Sequence, residues 1–357
     1  MKLVGLLLLA ALLGYLLAWP VPIEPQAWTP PPAPKLEGVY AKNDKLKAIT
    51  RLAENLGVGP EGLSVDGTGH VYAGFADGRV RQLNADGSHG IELANTGGRP
   101  LGTAVLRTGE VIVADAKKGL LSIGADHTVK VLADQLDGEK LMFVDDVGVT
   151  SDGATLYFSV ASRRFNDTLG HEDVIEHAPS GRLLAYDVAT GKARQVIKDM
   201  YFPNGVTVGP DDAFVLVNET ETYRIVRYWL KGEKAGTWDV FADNLPGFPD
   251  NIKFNGRDRF WCAIFAPRSP DLDKLLPMPF LRKVVFRLPA FVQPQPKKHA
   301  FALGFNVEGR VVANLQYEGA DAYAPITSVV ESGEWLYFGS LTAPAIGRMP
   351  VATALAQ

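Results

Sequence analysis

One cysteine in 357 residues, Cys262, excludes an internal disulfide and any cysteine-based zinc site. It lies in Phe260-Trp261-Cys262-Ala263-Ile264 and reads as a small buried hydrophobe. Charge of either sign is not in large excess. A formal net charge of -4 offers nothing to a polyanion, so nucleic acid is excluded as a partner. Histidine is also sparse, with six in the chain. None of His70, His89, His127, His171, His177 and His299 falls where the repeats described below concentrate their polar residues. What the chain does have is apolar content of 46% against 21% charge, enough for a real core and too little charge for disorder.

The chain is organised around one short pattern that it rewrites. Val144-Asp145-Asp146-Val147-Gly148-Val149 has counterparts in Pro60-Glu61-Gly62-Leu63-Ser64-Val65 and Pro100-Leu101-Gly102-Thr103-Ala104-Val105. Further copies are Pro203-Asn204-Gly205-Val206-Thr207-Val208, Pro249-Asp250-Asn251-Ile252-Lys253-Phe254 and Pro325-Ile326-Thr327-Ser328-Val329-Val330. After each comes a Gly- or Asp-containing turn and a strand rich in Tyr, Phe, Val and Ile. The third repeat parses into strands Asp146–Thr150, Thr155–Val160, Arg182–Asp187 and Ala193–Ile197. Four antiparallel strands recurring at about 40–50 residues predict an all-β, six-bladed β-propeller. The last repeat supplies Ser328–Glu331, Trp335–Gly339 and Ala345–Met349 and then runs out of chain. Its missing fourth strand is expected from Leu46–Ala53, which would close the ring and remove an open sheet edge.

Ahead of the propeller, residues 1–19 carry an apolar run from Leu3 to Trp19 behind Lys2. At roughly 17 residues it is at the lower limit for a bilayer span. No small-residue cleavage site follows, which favours an uncleaved signal anchor over a cleaved signal peptide and a secreted product. Lys2 would keep the N-terminus cytoplasmic and place the propeller on the periplasmic or lumenal side. Residues 20–35 are proline-rich and read as a semi-rigid spacer; residues 36–357 form the propeller domain.

Alternating strand direction puts the head of each inner strand and each second-to-third connection on one face of the ring. That face would carry Glu61, Asp145, Asn204, Asp250 and Asn251 at the mouth of the central channel. It would also carry the two longest insertions, Ser162–Ser180 and Ala266–Arg282, expected to act as lids. Carboxylate and amide oxygens converging on an axis suit a hard cation, and calcium tolerates that donor set and loose geometry. The alternative, in which Asp and Asn only end strands and shape turns, explains any single member well. It does not explain the recurrence of the same offset.

Phe143-Val144-Asp145-Asp146-Val147, Pro203-Asn204-Gly205-Val206 and Gly339-Ser340-Leu341 together resemble the strictosidine-synthase-like and gluconolactonase/paraoxonase-like six-bladed propellers. The resemblance implies a calcium ion held by Glu61, Asn204, Asp250 and Asn251, with Asp145 where several hydrolases carry Asn. Two departures narrow what it implies. Strictosidine synthase relies on a glutamate in its last blade, where this chain has Ile326-Thr327-Ser328, and Glu331 lies too far along the strand. The histidine pair of paraoxonases has no match either. The expectation is therefore calcium-dependent hydrolysis of a small-molecule ester or lactone, with Asp250 or Asp145 activating water or attacking directly, and an apolar pocket under the lids. The alternatives are a non-enzymatic binding propeller with a structural calcium, and a sugar-lactone hydrolase.

Overall fold

The computed structural model describes residues 2–356. Six four-stranded antiparallel sheets follow one another in the chain, and a two-stranded ribbon, Gln135–Leu136 with Glu139–Lys140, precedes the third. The inner strands are Leu63–Val65, Pro100–Val105, Val144–Val149, Pro203–Val208, Gly247–Phe254 and Ser328–Ser332, for blades 1 to 6 in order. Each contacts the next, and the sixth contacts the first, so the ring is closed.

Burial follows strand position. Second strands such as Val111–Asp115 and Phe214–Glu219 are buried along their whole length, because neighbouring blades cover both sheet faces. Their β-branched and aromatic residues suit that setting. Outer strands such as Ile91–Asn95 are largely exposed. Each fully buried Val, Leu, Ile or Phe contributes about 1.5–3 kcal/mol, and the layers between blades hold many, among them Leu156, Phe158, Leu184, Val215, Phe260 and Phe338.

Closure is as expected from the sequence. Ile346–Pro350 pairs on its outer side with Thr50–Leu52, in the register Thr50 to Arg348 and Leu52 to Ile346. The closing strand is shorter than expected, since Lys45–Ala48 forms a 3-10 turn that buries Leu46 in the layer between blades 5 and 6.

The N-terminal apolar run forms helix α1, Lys2–Ala18, with every described residue outside the core. At about 1.5 Å per residue its length falls short of the roughly 30 Å hydrocarbon core of a bilayer. Among the described residues no helix is long and apolar enough to cross a membrane. The following segment is not a free spacer. Ile23 is fully buried, Gln26 N donates to Glu176 O, Trp28 N to Leu276 O, and Arg268 Nη2 to Pro31 O. It is a strap across the two insertions.

The first insertion carries α2, Gly170–Glu176, and the second carries α3, Pro270–Leu275, and α4, Pro279–Phe286. The second insertion runs on to the strand that starts at Ala300, well past Arg282. Pro279 at the first helical position starts the helix that continues through Val284-Val285-Phe286. Arg282 is fully buried and donates to the carbonyls of Ile175, Glu176 and Gln26, tying both insertions to the strap.

Candidate metal centre

Four blades share one irregularity at the head of the inner strand. The pairing register shifts between Pro100 and Thr103, Val144 and Val147, Pro203 and Val206, and Pro249 and Ile252. A bulge lets successive residues escape strict in-out alternation and re-aims their side chains. Asp145 and Asp146 are both buried for this reason, as are Asp250 and Asn251. Glycine makes the close approach possible. A Cβ on Gly205 would lie 2.4 Å from Ile252 N and 2.5 Å from Asn251 Cα, and one on Gly102 would lie 2.2 Å from Asp146 Oδ1.

The five expected ligands come together at this level, each 6% exposed or less. Asn251 Nδ2 donates to Glu61 Oε1 at 2.6 Å, joining blade 5 to blade 1. Beyond that bond the ring is short of donors. Glu61 Oε2, Asp145 Oδ1, Asn204 Oδ1, Asp250 Oδ1 and Asn251 Oδ1 are buried without a hydrogen-bond partner. Five orphaned acceptors brought by four blades to one level call for an explanation that single strand ends do not supply, and all are oxygens. The donor set fits a hard cation of the calcium type. Among the described residues no cluster of His, Cys, Asp and Glu alone could hold a metal ion. The ring is a mixed set, in which the amides of Asn204 and Asn251 complete what the carboxylates begin.

Electrostatics point the same way. Burial pushes the Glu61 carboxyl up to about 7, and nearby Asp146 adds to this, while Arg99, the Asn251 bond and Lys253 pull it back. Asp145 is held well above the usual carboxylate range by burial and then by the charges of Glu61 and Asp146. Asp250 is raised likewise by burial, then by Glu61, Asp145 and Asp146. Burial and mutual repulsion both oppose ionisation of these three acids, and a cation among them would offset both.

The scaffold beneath the ring was not legible in the sequence pattern. Lys253 Nζ lies 2.8 and 2.9 Å from the two Asp146 oxygens and supplies a resident positive charge. Asp146 Oδ2 also accepts from Val206 N at 2.8 Å, linking blades 3 and 4. Ser159 Oγ donates to Asn204 O at 2.6 Å, and Thr327 Oγ1 to Glu61 O at 2.8 Å. Asn218 Nδ2 donates to Asp250 O and Thr220 Oγ1 to Pro249 O. The doublet Asp145-Asp146 and a lysine inside an apolar inner strand were the available signals; neither names its partner without the fold. Cys262 is buried beside Asn218, as expected of a packing residue.

Two cavities of about 370 Å³ lie along the Ser162–Ser180 insertion, and charged side chains line both. In the first, Met142, Ala116 and the aliphatic stems of the lysines and arginine give an apolar wall beneath charged tips, so the pocket expected under the lids carries charge as well. The insertion sends Phe165 and Ile175 into the core beneath it.

A strictosidine synthase family model matches residues 145–233, and a model for the N-terminal part of strictosidine synthase-like proteins matches residues 38–83. The chain belongs to the strictosidine synthase-like family of six-bladed propellers. The rat protein of that name (Rattus norvegicus) is 33% identical over 362 aligned residues, covering 95% of each chain. The Arabidopsis thaliana protein strictosidine synthase-like 6 is 35% identical over 81% of this chain and 79% of its own. In fold, a gluconolactonase from Xanthomonas campestris superposes with a TM-score of 0.59 at 13% identity, over 84% of this chain and 88% of that one. Regucalcin from Agrobacterium tumefaciens, described as a calcium-binding protein, gives 0.56 at 14%, over 84% and 90%.

Proposed function

We propose that the protein is a calcium-dependent hydrolase of esters or lactones, with its reaction centre at the ring of Glu61, Asp145, Asn204, Asp250 and Asn251. The observation that carries this reading is the set of five buried, unpartnered oxygens converging from four blades. Fold likeness to a gluconolactonase and to a calcium-binding regucalcin supports it at the level of architecture. Calcium, when bound, supplies positive charge for a substrate carbonyl and the oxyanion that develops from it. The chain contributes the rest. Asn204 and Asn251 orient without adding charge, and Glu61 is fixed by Asn251 Nδ2 and its carbonyl by Thr327. Asp250 is the general base, its backbone pinned by Asn218 and Thr220 at the bulge, and Asp145 is the second carboxylate. With a cation present both ionise, and the oxygen of each carboxylate that the cation leaves free can receive a proton from water.

The test is hydrolysis of a panel of aryl esters and lactones by the purified protein, with calcium and with chelator. Activity that survives exhaustive chelation would exclude the metal-dependent reading. A second reading is a binding propeller in which the ion is only a pin, favoured by the near-complete burial of Glu61, Asp145 and Asp250. Calcium binding with a silent panel would select it.

We further infer that α1 associates with a membrane and leaves the propeller on the non-cytoplasmic side. Its exposed leucines and the names of its plasma membrane-associated relatives support this. Extraction of the protein at alkaline pH without detergent, or full protection from externally added protease, would exclude it.

A further inference from the structure

The groove beside the ring has a charge balance that the reaction centre does not use. Its volume is about 370 Å³, within the range of small-molecule sites. Its walls come from three connections on the ring's own face. Lys117 lies between two strands of blade 2, Glu139 and Lys140 on the two-stranded ribbon, and Arg163 and Asp167 in the Ser162–Ser180 insertion. Arg99 joins groove to ring. Its charge acts on Glu61 and Asp145 on one side and on Asp167 on the other, and Ala116 N in the groove wall donates to Arg99 O.

Both acids of this wall are already engaged. Asp167 Oδ2 lies 3.6 Å from Lys117 Nζ, and Glu139 Oε2 is 3.0 Å from Arg182 Nη1. The cations are not all engaged. Lys140 makes no ion pair among the described residues, and Arg163 reaches only the carbonyl of Ser180 and the exposed Asp199 at 3.9 Å. Two positive charges are left facing one cavity. Asp167 Oδ1 is buried and unpartnered, an acceptor suited to a hydroxyl next to an acid group.

We propose that this groove binds the carboxylate end of the substrate, so that the protein acts on acid-bearing esters or lactones: the reacting carbonyl at the ring and a free carboxylate between Lys140 and Arg163. This rests on the hydrolytic reading of the ring for the chemistry, but the binding preference stands apart from it. A carboxylate between these two exposed cations gains an ion pair with each that a neutral ester cannot make, and with solvent screening the two together favour the acid by about two- to tenfold in affinity.

The probes are monomethyl adipate and dimethyl adipate, which differ in the one charge. Methanol release gives the ratio of kcat/KM values, and calorimetric titration of the full-length protein with calcium gives the ratio of affinities. Both ratios should favour the monoester by about two- to tenfold. Lys140→Glu and Arg163→Glu should each reduce or reverse the preference, whereas Lys130→Glu, on the exposed outer strand of blade 2, should leave it intact. If neither ester is turned over but the monoester binds more tightly, and the two groove variants lose that difference, the hydrolytic reading fails and the anion site stands. Equal affinity for both esters, or a preference that survives both groove variants, overturns the proposal whatever happens to the chemistry.

Discussion

Asp250→Asn keeps the volume of the side chain and one oxygen while removing its charge, so it tests the ring with little change in packing. Asp250 is 5% exposed and its Oδ1 has no partner in the fold. An ion that binds only the native state adds about 2.7 kcal/mol when its free concentration is 100 times Kd. For a propeller of about 320 residues, unfolding entropy near 2.1 cal/mol/K per residue makes this a Tm rise of about 4 °C. Removing one of three carboxylate charges should weaken the ion by at least about tenfold, or 1.4 kcal/mol, and halve the rise to about 2 °C at the same calcium concentration. In chelator the variant should be no less stable than the parent, because the Asp250 charge is already unfavourable there. Calcium also competes with protons: Glu61 is pushed up to about 7, so the calcium-induced rise should be smaller at pH 6 than at pH 8. Scanning calorimetry in chelator and in excess calcium, at both pH values, measures all of these. Glu61→Gln should behave like Asp250→Asn. Asp152→Asn, in an exposed turn where its Oδ1 accepts from Ala154 N, should keep the full rise. Absence of metal from the purified parent by elemental analysis, together with an unchanged Tm in calcium, would refute the cation site.

Lys253→Met should leave Asp146 buried and unpaired at a cost of about 3–5 kcal/mol, read by urea melts, and Asp146→Asn added to it should recover most of the loss. Deleting Lys45–Leu52 removes the strand paired with Ile346–Arg348 and should produce oligomers on size-exclusion chromatography; a monomer with unchanged melting would contradict the closure. Asp173, in α2, is pushed up to about 7 by burial, so the native state binds its proton more tightly than the unfolded chain does. That contribution is complete below the ordinary carboxyl value of 3.8 and is lost as pH rises through about 7. Asp173→Asn should therefore protect residues 162–180 against limited proteolysis at pH 8 and change little at pH 4.

The ring of buried polar side chains was readable in the chain because a propeller repeats its register. Glu61, Asp145, Asn204 and Asp250 recur at one offset from an alternating apolar run, and a closed ring brings equal offsets to one axis. Closure was readable for a related reason, since the last repeat lacks a strand that the first residues of the domain possess. The partners were decided by tertiary structure alone. Lys253 and Asp146 are separated by 107 positions and meet only because bulges turn successive inner-strand residues to the same side. The role of the proline-rich segment changed in the same way: its composition specifies an extended backbone, but Ile23 and Trp28 are strap residues only because the two insertions present an apolar surface to them. The character of the groove likewise depended on which side chains the core consumed. Phe165 and Ile175 went inward, leaving Lys140 and Arg163 to line the cavity. Local sequence sets backbone periodicity and the type of residue at each register position. Which charges end up paired, and which face an open space, follows from contacts between segments far apart in the chain.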